Sequence, residues 1–166
     1  TAANPSHTYP VAGTYTVRLT VTDDGAVPAG DIAEQVLVIN GPPTMHVGDL
    51  DPYAAIIDPG LPTERWDAYV TVHVHNSSHL PVAGATVSMD MIWTRKATGV
   101  VRSRIVTCTT SSAGHCDVGR RFNPLFVEDD VTFTMLNITH GSLAYVAADN
   151  HDPDGGDGTT IVVSRP

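Results

Sequence analysis

Near the start of the chain, apolar and polar residues alternate one by one. Tyr15, Val17, Leu19 and Val21 are apolar, while Thr14, Thr16, Arg18, Thr20 and Thr22 are polar, the period-two pattern of a strand with one face turned to a core. Gly13 before the run and Asp23-Asp24-Gly25 after it supply turn chemistry. A second β-prone run over residues 33–40 follows a connection containing Gly and Pro and is expected to pair antiparallel with the first. An isolated hairpin is marginal in water, so its apolar face needs cover.

The same alternation returns beyond Asn40-Gly41-Pro42-Pro43, whose breakers mark a domain junction. We therefore expect domains at 1–41 and 42–166, with residues 1–6 a patternless lead-in. Residues 45–62 carry Gly48, Pro52, Pro59, Gly60 and Pro62, which predicts an opening strand and then a long surface loop. Over 66–75, Trp66, Ala68, Val70, Val72 and Val74 form the expected inward face. Over 84–94 the inward set is Ala85, Val87, Met89, Met91 and Trp93; over 99–107, Arg102 and Arg104 share a solvent face. Further β runs at 115–118, 131–138, 143–147 and 159–164 bring the second part to at least seven strands, the spacing of a sandwich.

Composition agrees with an all-β chain. Of 166 residues 42% are hydrophobic, enough to bury a core, and helical periodicity is nowhere convincing. Net charge is −9 with only 9 Lys plus Arg, a field that repels phosphate backbones, so nucleic acid is excluded as a partner class. No apolar run approaches the ~20 residues that cross a bilayer, and the N-terminus lacks the basic and apolar regions of a signal peptide. If the protein is secreted, its leader lies upstream of Thr1.

Cys108 and Cys116 flank a Ser-Ala-Gly turn, which predicts facing arms of a hairpin within bonding reach. Closing so short a loop is worth about 2.5 kcal/mol in the chain-entropy model. Free buried thiols and a zinc pair are the alternatives.

The pattern His7-x-Tyr9-x-x-x-Gly13-x-Tyr15-x-Val17-x-Leu19-x-Val21-x-Asp23 resembles the closing half of a PKD (polycystic kidney disease) repeat, an immunoglobulin-like β-sandwich of secreted and cell-surface proteins. The resemblance covers about the first 40 residues and implies a non-catalytic extracellular module. It also implies missing strands, supplied by an upstream chain or by neighbouring identical subunits. A weaker likeness follows: Pro81-Val82-Ala83-Gly84-Ala85-Thr86-Val87, with Cys108-Thr109-Thr110 and Gly114-His115-Cys116, is similar to bacterial Ig-like and carboxypeptidase-regulatory-like modules. Together they imply two Ig-like β-sandwich modules, the first incomplete. The expected function is an extracellular or cell-surface structural or adhesion module of a larger protein, with a surface polysaccharide or protein as a further possible partner. The alternatives are a self-assembling filament subunit completed by its neighbour and a fragment of a metal-dependent enzyme.

Two stretches carry candidate chemistry. Asp149, Asn150, Asp152, Asp154 and Asp157 lie in a glycine-containing run, and oxygen ligands so spaced suit Ca²⁺. Asp49 and Asp51 can complete the site if the first and last strands of the domain are neighbours. No Glu stands at the twelfth position, so this is not an EF-hand; a solvated acidic loop is the plain alternative. His73 and His75 share one face of a strand about 7 Å apart, with His79 close in sequence, a spacing that can serve a transition metal. Exposed histidines on an outer face are the ordinary reading. No Gly-x-Ser-x-Gly, His-Glu-x-x-His or phosphate-cradling loop is present.

Overall fold

The computed structural model describes residues 6–9, 12–22 and 30–166. The lead-in and the Asp23-Asp24-Gly25 turn lie outside the described residues, apart from Ser6. The chain divides into two compact units, Thr1–Pro42 and Pro43–Pro166. Both are built of β-strands, and the protein is all-β with several sheets.

In the first unit β1 (Gly13–Thr22) pairs antiparallel with β2 (Gly30–Ile39), from Gly13 opposite Ile39 to Thr22 opposite Gly30. That register puts Tyr15, Val17, Leu19 and Val21 on one face with Ala33 and Leu37. Ile32, Val36 and Val38 fall on the other face, beside the Arg18–Glu34 ion pair at 3.8 Å. Leu19, Val21, Ile32, Val36 and Val38 are all exposed.

The second unit stacks two four-stranded sheets. One has the order β10-β8-β5-β6 and the other β7-β4-β3-β9. The strands are β3 (Thr44–Ile57), β4 (Arg65–Asn76), β5 (Thr86–Arg95), β6 (Val101–Thr109), β7 (His115–Phe122), β8 (Val127–Thr139), β9 (Ala144–Tyr145) and β10 (Thr160–Ser164). Each strand turns alternate side chains inward, and the two inner faces interdigitate. Trp66, Ala68, Val70, Val72 and Val74 of β4 are fully buried, as are Val87, Met89 and Met91 of β5 and Val131 and Phe133 of β8. Burying each such Val or Met side chain contributes about 1.5–3 kcal/mol, and this layer sustains the fold. Trp66 and Trp93 both lie against Phe122, with ring centres 5.6 Å apart in each case.

Two expectations change. Residues 45–57 form one long strand rather than a short strand and a loop, because β3 pairs with β4 as far as Ile57 opposite Arg65. Pro52 is tolerated there because β9 reaches only Thr44 and Met45, so the rest of β3 runs along a sheet edge where no partner asks for an N–H. The cysteines do form a disulfide, yet not across a hairpin: β6 and β7 belong to opposite sheets, so Cys108–Cys116 ties the two layers together at their rim. Thr110 makes the crossing. Its hydroxyl donates to the Val82 carbonyl at 2.7 Å and accepts from the Ala85 N–H at 2.9 Å, and its own backbone pairs with Gly84 and Ala85.

On the outer face, Asp67 of β4 stands opposite Arg121 of β7 and accepts two hydrogen bonds from its guanidinium, at 2.7 and 2.9 Å. Those bonds hold the nearly covered carboxyl below its usual 3.8. A depressed folded value means that the pair's stabilisation is complete above about pH 4 and is lost as pH falls through the folded value. Asp67→Asn should therefore lower the urea midpoint at pH 7, with the gap to wild type narrowing as pH falls below the usual 3.8 and through the folded value; a gap that stays constant over that fall would contradict this account.

Candidate functional site

The chemistry-bearing residues gather at one end of the β7-β4-β3-β9 sheet. Their placement starts with a fault in the ladder. Met45 pairs with Asn76, His46 with His75 and Val47 with Val74, but the next partner of β4, His73, stands opposite Asp49. Gly48 is thus the extra residue of a β-bulge. The bulge resets the alternation, so Met45, Val47 and Leu50 point into the core while His46, Asp49 and Asp51 do not.

Gly48 is required there. A Cβ at this position would lie 2.1 Å from Nδ1 of His75, so the imidazole occupies the space that any other residue would fill.

The chain from β9 onward covers the same edge. Val146 N–H donates to the Met45 carbonyl at 2.9 Å, and His151 N–H to the Val47 carbonyl at 3.1 Å. The Asn150 side chain accepts from the Val47 N–H at 2.9 Å and donates to the Tyr145 hydroxyl at 2.7 Å. A 3-10 turn at Ala147–Asp149 lets the chain climb between those contacts. Gly158 closes the loop at φ +66, and a Cβ on it would come within 2.4 Å of the His151 carbonyl. Asp157 then caps the entry to β10, accepting from Thr159 N–H at 2.8 Å and Thr160 N–H at 3.2 Å.

Two donor sets result. In the first, His46, His75, His79 and His151 bring one ring nitrogen each within 4.8 Å of all the others. His79 stands in the β4–β5 turn with φ +56; the Asn76 side chain, accepting from Ser78 and Leu80 N–H, shapes that turn. Burial, followed by the neighbouring imidazoles, holds both His46 and His75 below the usual 6.5, so each is neutral at physiological pH.

The second set is anionic. Carboxylate oxygens of Asp49, Asp152 and Asp154 lie within 4.8 Å of one another, and Asp49 also groups with Asp51 and His73. His73 Nε2 is 3.1 Å from Asp51. Burial, with help from Asp154 and Asp49, raises the Asp152 carboxyl to about 6. One oxygen each of Asp49 and Asp152 is buried with no hydrogen-bond partner among the described residues.

Of the oxygen ligands predicted for Ca²⁺, Asp49, Asp152 and Asp154 come together, with Asp51 beside Asp49. Asp149, Asn150 and Asp157 do not join the cluster; the last two serve the loop's own hydrogen bonds. His73 and His75 share a face but part company: His73 joins the carboxylates and His75 joins three other imidazoles. His46 and His151 were missed. A signal for them exists, since each stands just before an acidic pair, in His46-Val47-Gly48-Asp49-Leu50-Asp51 and in His151-Asp152-Pro153-Asp154.

Comparison with known proteins bears on the first unit alone. A family model described as PKD domain matches residues 1–38, which supports a PKD-type domain there. No curated protein and no solved structure matches the chain.

Substituting Gly48 tests how the site is built. Gly48→Ala should swing the His75 ring out of its place and cost about 1–3 kcal/mol, the range for overpacking a filled position. Urea denaturation with NMR of the imidazole resonances measures both effects; an unshifted His75 ring with unchanged stability would contradict the bulge argument.

Proposed function

We propose that this chain is a non-catalytic structural or adhesion region of a larger secreted or cell-surface protein, in which an Ig-like sandwich follows a PKD-type module. The observation that carries this reading is the PKD domain match over residues 1–38, joined to an all-β chain with a disulfide between two sheets. Modules of this kind space, stiffen or attach, and disulfides persist in oxidising compartments. No helix among the described residues is long and apolar enough to cross a membrane.

The two-stranded sheet supports a covering polypeptide as partner. Leu19, Val21, Ile32, Val36 and Val38 are each about half exposed or more, from 49% to 64%, an apolar load that a lone hairpin does not carry stably in water. In our reading upstream strands of the same protein complete the module. The second reading, a filament in which a neighbouring copy donates those strands, rests on the same sheet. Light scattering over a concentration series separates them: the accessory-module reading expects a monomer at all concentrations. Growth into long particles, abolished by deleting residues 1–40, would replace it with the filament.

Ca²⁺ belongs to this proposal as a stabilising ion held by Asp49, Asp152 and Asp154. Carboxylates forced together under partial burial repel one another, and a hard divalent cation offsets that repulsion. Ca²⁺ added to metal-stripped protein should raise the melting temperature, and Asp152→Ala combined with Asp154→Ala should remove the response; identical melting curves with and without Ca²⁺ would eliminate the ion.

A further inference from the structure

Among the described residues, His46 is the most deeply placed imidazole of the group, 3% exposed. Neither of its ring nitrogens has a hydrogen-bond partner among the described residues, and Nδ1 of His75 is likewise buried and unpartnered there. Leaving such groups unsatisfied forfeits the hydrogen bonds they would make to water. A sandwich could fill this position with an apolar residue at no such cost. Instead, three further imidazoles arrive around His46 from the neighbouring strand, the β4–β5 turn and the loop before β10.

The spacing fits one kind of occupant. Two imidazoles bound to the same tetrahedral zinc, with Zn–N of about 2.0–2.1 Å, have ring centres roughly 5.2 Å apart. The observed centre-to-centre distances are 5.2 Å for His46–His79, 5.1 Å for His46–His151 and 5.3 Å for His79–His151, with 6.3 and 6.4 Å from His75 to His46 and His79. The rings are tilted or edge-on to one another, at 41° to 89°, so they converge through their edges rather than stack. Contracting nitrogens that are 4.8 Å apart or less onto a common centre takes about 1 Å of movement per ring. His79, exposed on a turn, has that freedom.

We propose that His46, His75, His79 and His151 form a binding site for a divalent transition-metal ion of the zinc class. Four imidazole nitrogens with no thiolate select borderline ions and leave hard cations such as Ca²⁺ to the oxygens next door. Both cysteines are consumed by the disulfide. The surroundings supply the outer contacts such a site needs. Nδ1 of His151 lies 3.2 Å from the Asp149 carbonyl; donation there fixes the ring and leaves Nε2 for the metal. With four protein ligands the site is closed, and its role is structural. It joins the opening strand of the second unit to the loop that precedes its last strand, a long-range cross-link between segments that are distant in sequence.

The inference does not rest on the extracellular reading. Its test uses the whole chain, stripped of metal, titrated with Zn²⁺ by calorimetry and with Co²⁺ by visible absorption. We expect one Zn²⁺ per chain, the d–d bands of four-coordinate Co²⁺, and a higher melting temperature when loaded. His46→Ala empties a buried position and can simply fail to fold, so the informative variants are on the surface side. His79→Asn keeps a residue type that tolerates positive φ, and His151→Asn leaves the backbone contact to Val47 intact. Each should weaken Zn²⁺ binding by more than the roughly 10–100-fold that loss of an outer partner costs, while His73→Asn should bind like wild type. Absence of stoichiometric Zn²⁺ uptake by the wild-type chain would overturn the proposal. So would binding that survives both His79→Asn and His151→Asn, or that is lost in His73→Asn, which would move the ion to the Asp49, Asp51 and His73 group.

Discussion

Between Val47 and Asp49 the pairing of β3 with β4 slips by one residue; the carboxylate cluster depends on that slip, and the imidazole cluster on the glycine at it. Without it, the alternation begun by Met45 and Val47 would carry Asp49 inward and Leu50 outward. A buried carboxylate facing the Val70 and Val72 layer would cost several kcal/mol or refuse to ionise. The bulge instead keeps Leu50 in the core and delivers Asp49 and Asp51 to the surface that His46 already faces. Glycine at the bulge does a second job, since its missing side chain is the space that His75 occupies.

The rest of the sandwich holds that surface still. Two inner faces of Val, Met, Trp and Phe provide the cohesion, and the disulfide adds a constraint where the layers meet. Cys116 lies on β7, next to β4, opposite Val72, so the bond anchors the immediate neighbour of the strand that carries His73 and His75 to the opposite sheet. The edge of β3 would otherwise present open backbone groups. β9 and the following loop close it by binding Met45 and Val47 in succession.

Much of this was legible from alternation alone. The inward set of β4, from Trp66 to Val74, follows from period two because a strand between two partners has little freedom to deviate. The β3 strand was harder, since Pro52 and the glycines read as loop; only the edge position explains why the strand continues. The disulfide's partners were readable from their spacing, but its geometry was not. Whether two neighbouring strands share a sheet or face one another across it depends on the crossing at Thr110, whose hydrogen bonds involve residues some 25 positions away.

The histidines show the limit of local reading most clearly. Period two correctly places His73 and His75 on one face, about 7 Å apart along the strand, yet which further residues gather beside each of them is decided by the neighbouring strand and the loops. Cross-strand neighbours start closer, with Cβ atoms about 4.5–5.5 Å apart. His46 opposite His75 is such a pair, and Asp49 opposite His73 is another. The two pairs sort by chemistry: the imidazole pair draws in His79 and His151, while the mixed pair lies with the carboxylates. The loop after β9 supplies one residue to each, His151 on the nitrogen side and Asp152 on the oxygen side. Consecutive residues of an extended chain point in opposite directions, so a single docked segment can serve two neighbouring sites of different hardness.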